Sequence, residues 1–375
     1  MARDGRRRRR ERRTIGYAVI GLGHIAQVAV LPAFRHARGT SRLAALVSGD
    51  AAKRKALGAR YGVPAFRYQD LDDVLAREDV DAVYVALPNT LHAECAIRAA
   101  RAGVHVLTEK PMATSEEDCR RMIDAADEHG VKLMVAYRLH FEPANVEAVE
   151  LVRSGRLGEP RFFSSEFSYQ LEAGNIRGDA RTGGGALWDL GPYCINAARH
   201  LLGAEPTEVL AFEAAARDRR FHGVPEGWSV VLRFPDERLA TFTCSFGAAP
   251  TDACRVVGTK GGLRLEPAFE YVGSLVRHLT VGERTTVKRY PPSDQFAPEL
   301  EALSRCVLED RDPAPDGWEG LADVRIVEAA LRSAREGAPV RLEPLRRRRG
   351  PTAAQVRRRP PVAAPEPVGA DSPDR

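Results

Sequence analysis

The sequence predicts an α/β protein in two parts: a doubly wound parallel sheet, then an α/β domain built on a sheet with one open face. Three observations carry this. Over residues 14–137 short apolar runs alternate with helical stretches, the order that builds a parallel sheet from βαβ units. The first of these runs ends in a glycine turn at 21–23. From about residue 161 the runs lengthen and alternate apolar with polar residues, as in a sheet that shows one face to solvent or to a partner.

In chain order, strands are expected at 16–20, 42–47, 82–86, 105–108 and 132–136, with helices at 51–61, 71–77, 92–102 and 115–128 between them. Thr114 and Glu117 have the spacing of a capping box at the start of the last helix. Strands follow at 162–169, 208–214, 228–234, 240–246 and 263–265, and a closing helix at 323–335. No internal repeat is visible.

The 375 residues carry a net charge of +5, unevenly spread. Residues 1–13 hold eight Arg against two acids (+6), and residues 346–375 eight Arg against three acids (+5), so 14–345 carries −6. The body is acidic and the basicity lies in two tails. The second tail also holds six of the 25 Pro, and both tails are expected to be disordered. The folded part therefore carries no nucleic-acid footprint. Six Cys lie far apart with no C-x-x-C pair or ligand-spaced His, which argues against a metal site or a disulfide scaffold. No apolar run reaches the roughly 18 residues of a membrane span, and the Arg-rich start lacks the apolar stretch of an export signal. These features place the protein in the cytoplasm with reduced thiols.

The run 17–26, YAVIGLGHIA, is a strand feeding G-x-G-x-x-A and then a helix. Gly21 permits the turn, Gly23 lets the backbone approach a pyrophosphate, and Ala26 lets helix and strand pack closely, with Leu22, His24 and Ile25 around the phosphates. The end of the second strand selects the cofactor, because an acid there would meet the ribose 2′-hydroxyl. Here Ser48 and Gly49 stand at that end, followed by Asp50 and the cations Lys53, Arg54 and Lys55. An uncharged hydroxyl beside cations favours NADP over NAD. Two alternatives stay open: Asp50 reaching the hydroxyl in another backbone geometry, and the cations forming only a solvated helix face.

Glu109-Lys110-Pro111 follows the strand 105–108, at the carboxyl edge where ligands of such sheets lie. Leu87, Pro88, Asn89 and His92 end the neighbouring strand and should line the same crevice. Lys110 can donate to a substrate oxygen or support a neighbouring acid. In the cluster 183–196, GGGALWDLGPYCIN, a continuous helix would put Asp189 and Tyr193 on one face at i and i+4. They would then handle a hydroxyl proton while a nicotinamide takes a hydride. The equal alternative is that Asp189 caps a helix whose first turn holds Pro192, with Tyr193 in the core.

GYAVIGLGHIA at 16–26, ALVSGDAAK at 45–53, DAVYVALPNTLHAECAIRA at 81–99, EKPMATSEEDCRRMIDAA at 109–126, YRLHFEPANVEAV at 137–149, GGGALWDLGPY at 183–193 and DQFAPELEAL at 294–303 together resemble the glucose-fructose oxidoreductase and inositol dehydrogenase family. The resemblance runs over about 16–341. It implies a Rossmann domain over 14–137, then a substrate and oligomerisation domain over 138–345 with a large, mainly antiparallel sheet. The outer face of that sheet would make dimer or tetramer contacts. It also implies that Lys110 orients the substrate and that Asp189 is the family aspartate. Tyr193 stands where most of these dehydrogenases carry His and the glucose-fructose oxidoreductase subgroup carries a catalytic Tyr. Ser48, Lys53, Tyr68, Leu87, Asn89, Glu109 and Arg138 match cofactor contacts. Arg177 is the nearest equivalent of a family Trp-Arg pair that this chain lacks.

The sequence is thus read as an NADP(H)-dependent oxidoreductase acting on the CH–OH group of a sugar or polyol. Tyr193 would be the general acid/base, Lys110 its electrostatic partner, and Asp189 the group that orients the substrate. Two alternatives are a dehydrogenase that exchanges its cofactor freely and a non-catalytic NADP-binding regulator with basic tails.

Overall fold

The computed structural model describes residues 14–215, 218–345 and 350–374. The tail 1–13 and the run 346–349 lie outside the described residues.

Six parallel strands form the first sheet: β1 (Ile15–Ile20), β2 (Ser41–Val47), β3 (Ala65–Phe66), β4 (Ala82–Val85), β5 (His105–Thr108) and β6 (Leu133–Val135), in the order β3-β2-β1-β4-β5-β6. Every residue of β1 is buried, because helices cover both faces of a parallel sheet and leave no polar side to alternate. The crossover helices are α1 (Leu31–Ala37), α2 (Ala51–Tyr61), α3 (Leu71–Leu75), α4 (His92–Arg101) and α5 (Glu116–Glu128). Strand order reverses between β1 and β4, opening the crevice in which ligands of this architecture bind. The short edge strand β3 had no apolar run to announce it. The cap of α5 is Ser115, whose hydroxyl accepts from Asp118 N at 3.1 Å, one residue beyond the expected Thr114.

The second sheet has nine strands. After α6 (Pro143–Arg153) come β7 (Pro160–Ser168), α7 (Ala186–Asp189), α8 (Gly191–Leu202), β8 (Glu208–Ala214), β9 (Gly227–Arg233), β10 (Leu239–Ser245), β11 (Thr251–Gly258), β12 (Gly261–Leu265), β13 (Leu275–Val281) and β14 (Arg284–Tyr290). The last strand is β15 (Val340–Arg341), and the order is β14-β13-β12-β11-β7-β10-β9-β8-β15. Each neighbouring pair in it is antiparallel except β7 with β10. Its inner face buries Phe163, Phe167, Trp228, Leu232 and Phe242 against α6, α8 and α10 (Gly317–Glu336). The outer face leaves Phe162, Phe212, Leu239 and Val287 exposed. Strands β11, β13 and β14 carry Thr, Arg and His among their residues, which masked their period in the sequence.

The helices α9 (Ala297–Glu309) and α10 return to the first sheet. Leu300 and Leu303 join the cluster around Tyr17 and Leu46, and Leu321 and Val324 join the cluster around Val83 and Val135. Tyr17 OH donates to Leu300 O at 3.1 Å. Residues assigned to the second part by chain order thus complete the core of the first. Residues 350–374, expected without structure, lie against the body: Arg359 pairs with Glu301 of α9 at 2.5 Å, and Val368 is bonded to Gln27. Specific ion pairs and backbone hydrogen bonds supply what the composition lacks in apolar surface.

Candidate active site

β1 delivers the chain to Gly21 at φ +95°, where a Cβ would stand 2.2 Å from Ala86 O at the end of β4. Only glycine permits that approach. A Cβ on Gly23 would meet nothing within 4 Å, so the backbone faces open space where a pyrophosphate would lie. Ala26 is fully buried against the sheet.

At the end of β2, Ser48 Oγ accepts from Asp50 N at 3.2 Å and Ser48 O accepts from Arg54 Nη1 at 2.7 Å. The Tyr68 ring stands 3.3 Å from where a Gly49 Cβ would lie. Asp50 is the cap of α2: its Oδ1 accepts from Ala52 N at 2.8 Å and from Lys53 N at 3.1 Å. The carboxylate that might have met a ribose hydroxyl is committed to the helix, while Lys53 is only partly buried beside it. These residues fit a phosphorylated ribose.

β5 leads into Glu109 and Lys110, followed by a cis bond to Pro111. Lys110 Nζ donates to Asp189 Oδ1 at 2.8 Å and to Asp189 O at 2.9 Å. Asp189 Oδ2 accepts from Tyr169 OH and from Arg177 Nε, both at 3.1 Å. Burial alone would raise the Asp189 pKa, but Lys110 and Arg177 outweigh it and hold the carboxyl well below its usual range. Burial alone would likewise lower the Lys110 pKa, yet Asp189, Tyr193 and Glu109 hold the ammonium above its ordinary value. Glu109 is raised by burial, partly offset by Tyr84, whose OH donates to Oε1 at 2.7 Å.

Two cations lie against the Tyr193 ring, with Lys110 Nζ 4.6 Å and the Arg138 guanidinium carbon 4.9 Å from its centroid. Arg138 is fixed by donation from Nη1 to Gln295 Oε1 at 2.5 Å and by a bond to Phe269 O. The helix through Asp189 and Tyr193 is not continuous. α7 ends at Asp189, and α8 starts at Gly191 with Pro192 in its first turn, where a missing N–H is tolerated. Leu190 between them keeps helical dihedrals, φ −92° and ψ −35°, so Asp189 and Tyr193 stay on one face and both meet Lys110. The cap of α8 is Leu190, not Asp189, and Tyr193 lines a cavity.

That cavity, about 460 Å³, is walled by Gly23, His24 and Ile25, by Leu87, Asn89 and His92, and by Glu109, Lys110, Arg138, Arg177, Asp189 and Tyr193. His92 bridges the Leu87 and Pro111 carbonyls at 2.9 Å each. Gly21, Leu22 and Pro88 do not line it, nor do Ser48, Gly49, Lys53 and Tyr68, which gather at the β2 end. Sequence reasoning missed Tyr169, Phe167, Glu270 and Tyr271, together with Ser372, Pro373 and Asp374. Tyr169 closes an expected strand and could have been found as a phenol leaving the sheet; nothing local marked 372–374.

Among the described residues, one group has metal-ligand spacing: His140, His200 and Glu319, with ligand atoms within 4.8 Å of one another. Arg199 Nη1 already stands 2.7 Å from Glu319 Oε1, so a cation fills that place. The described residues contain no helix long and apolar enough to cross a membrane.

Known proteins share this fold and much of this sequence. Residues 15–137 match the oxidoreductase family with an NAD-binding Rossmann fold, and residues 146–264 match the GFO/IDH/MocA C-terminal domain. D-xylose 1-dehydrogenase (NADP(+)) 2 of Haloferax volcanii is 34% identical over 331 residues, 87% of this chain and 99% of that protein. The structure of aldose-aldose oxidoreductase from Caulobacter crescentus, complexed with glycerol, is 40% identical and superposes with a TM-score of 0.84, covering 88% of this chain and 100% of that one. A 3-ketoreductase from Actinomadura kijaniata, solved with NADP and TDP-benzene, is 32% identical with a TM-score of 0.78, over 86% of this chain and 98% of that one. With both domains matched, and with the glycine turn and the Glu109-Lys110-Pro111 strand end in place, the chain belongs to the Gfo/Idh/MocA family of oxidoreductases.

Proposed function

We propose that the protein is an NADP(H)-dependent oxidoreductase acting on the CH–OH group of a sugar or polyol. The observation that carries this reading is the placement of the Lys110–Asp189 pair and the Tyr193 phenol on one cavity wall, with the glycine turn on another. The relatives' names, a xylose dehydrogenase using NADP and an aldose-aldose oxidoreductase, support the substrate class. A bound nicotinamide supplies the hydride acceptor or donor. Tyr193 takes or returns the hydroxyl proton of the substrate. Lys110 and Arg138 stand against its ring and keep positive charge beside the reacting group. Lys110 also donates to the substrate oxygen. Asp189 has both oxygens bonded to protein donors, so it acts by fixing Lys110, Tyr169 and Arg177 rather than by touching the substrate. Ser48, Lys53 and Tyr68 would hold the ribose-phosphate end of the cofactor, and Glu109 and Asn89 the nicotinamide end.

The acidic body and buried thiols suit a cytoplasmic enzyme. The exposed Phe162 and Leu239, paired across β7 and β10, with Phe212 and Val287 exposed on other strands of the same sheet, support a homodimer or homotetramer formed through the second sheet, because exposed apolar surface marks interaction sites. The deciding experiment is a screen of sugars and polyols against NADP and NAD with the purified chain. NADP-dependent turnover that is lost in Tyr193→Phe is expected. Turnover unchanged by that substitution removes the assignment, and cofactor absorbance that survives dialysis selects retained over exchanging cofactor.

A further inference from the structure

Charge is segregated within the second tail. Residues 346–365 hold seven Arg and no acid, whereas residues 366–374 hold Glu366, Asp371 and Asp374 and no base. The basic portion is anchored on the acidic body by Arg359 on Glu301. The acidic tip runs elsewhere, along the crevice between the two sheets.

Its course is defined by contacts on both lips. Arg60 Nη1 at the end of α2 donates to Glu366 O at 3.1 Å. Val368 makes a two-point contact with the fully buried amide of Gln27, four residues beyond Gly23: its N–H donates to Gln27 Oε1 at 2.7 Å, and its carbonyl accepts from Gln27 Nε2 at 3.0 Å. Gly369, at φ +54°, lies beside Lys53: a Cβ there would stand 3.5 Å from Lys53 Cε. The Ala370 backbone meets the His24 imidazole, with Asp371 and Asp374 nearby. On the far lip, Pro373 O accepts from Glu172 N at 2.9 Å, and Asp374 pairs with Leu171 in an antiparallel bridge. Ser372, Pro373 and Asp374 then form part of the wall of the cavity that holds Lys110 and Tyr193.

The segment therefore visits in sequence the three places a dinucleotide needs: the ribose-phosphate end, the glycine turn and the hydride end. It brings carboxylates to a groove equipped with cations for phosphates. We propose that residues 366–374 are an autoinhibitory strap, an acidic mimic of the cofactor's phosphates that lies in the dinucleotide groove and must leave for NADP to enter. This rests on the NADP reading above. The apparent affinity for NADP is then the intrinsic affinity reduced by the fraction of molecules whose strap is out. Two bonds from the Val368 backbone to the Gln27 side chain and one from Glu172 N to Pro373 O hold the strap in the groove.

The test compares NADP binding to the full chain and to a chain lacking 366–375, with Asp371→Asn/Asp374→Asn as a variant that retains the backbone contacts. Deletion is expected to tighten NADP binding tenfold or more, and the double substitution severalfold. In the full chain, saturating NADP should speed hydrogen exchange at the Val368 amide. Equal or weaker binding after deletion, or slower exchange at Val368 with NADP, would overturn the strap while leaving the cofactor reading intact. If neither full nor shortened chain binds NADP, the cofactor reading falls and takes the strap with it.

Discussion

Two buried charge clusters in this chain are made from the same kinds of side chain and do opposite things. In the crevice, Lys110 and Arg177 share Asp189, with side chains 11%, 29% and 17% exposed. In the interior, Arg199 holds Glu319 at 2.7 Å, Asp323 at 2.6 Å and Glu205 at 2.6 Å, and its own side chain is 1% exposed. The crevice cluster has a surplus cation, and that surplus faces a cavity. The interior cluster has a surplus of carboxylates and faces only protein. Burial there pushes Asp323 up to about 7 against the pull of Arg199, while Arg199 and His200 hold Glu319 low against its own desolvation. A charged cluster becomes a reactive site when its unbalanced charge borders space a ligand can fill. Without that space, the same interactions only tie helices together, here α8 to α10.

The comparison can be broken from either side. Lys110→Ala removes the surplus cation at the cavity but leaves Asp189 bonded to Arg177 and Tyr169. Turnover should fall by about 10²- to 10⁴-fold with little change in unfolding midpoint, measured by steady-state rates and thermal melts on one preparation. Arg199→Met should do the reverse. It strands Glu319 and Asp323 in the interior, at a cost of about 3–5 kcal/mol in denaturant unfolding, while the folded fraction keeps its kcat. Equal losses of activity in both variants would erase the distinction.

A third test uses protons. Burial, together with His200 facing its ring, pushes His140 down to about 3. The folded state thus binds fewer protons than the unfolded chain between pH 3 and about 6.5, the ordinary imidazole value. Its contribution is intact above about 6.5 and is lost as pH falls, by up to about 1.4 kcal/mol per pH unit. Asp323, being raised, works in the opposite sense over part of that range, so the informative quantity is the difference between the parent and His140→Gln. The amide can still donate to Asn196 Oδ1, as His140 Nε2 does at 2.8 Å. The variant should lose less stability on acidification, as read from unfolding at pH 7 and pH 5. The smallest effect belongs to Tyr169→Phe. It removes one of the donors on Asp189, worth about 0.5–1.5 kcal/mol, and should lower kcat by up to about tenfold without unfolding the protein.

Much of the first domain was legible in the sequence because its signals are local. The buried runs of β1, β2, β4 and β5 sit where apolar residues cluster, and the turn at Gly21 needs a backbone that only glycine provides. The second sheet was half legible: β10 kept a clean alternation, whereas β13 and β14 carry His278, Lys288 and Arg289, so their place depends on neighbours rather than on their own period. Glu109 and Lys110 could be assigned to the crevice from the strand they follow. Asp189 and Tyr193 and the face they share could be read from their spacing, whereas the interruption of the helix at Leu190 depends on packing as well as on Pro192.

The sequence by itself determined the parallel sheet, the dinucleotide turn, the absence of an acid at Ser48, and the lysine at the β5 end, all of which follow from residues adjacent in the chain. Tertiary structure alone decided that Tyr169 and Arg177 converge on Asp189, that α9 and α10 complete the first core, and that the tail divides into an anchored basic part and an acidic strap. The contact between Gln27 and Val368 spans 341 residues. No local pattern encodes such a pairing, because its free energy arises only when the two surfaces are brought together by everything folded between them.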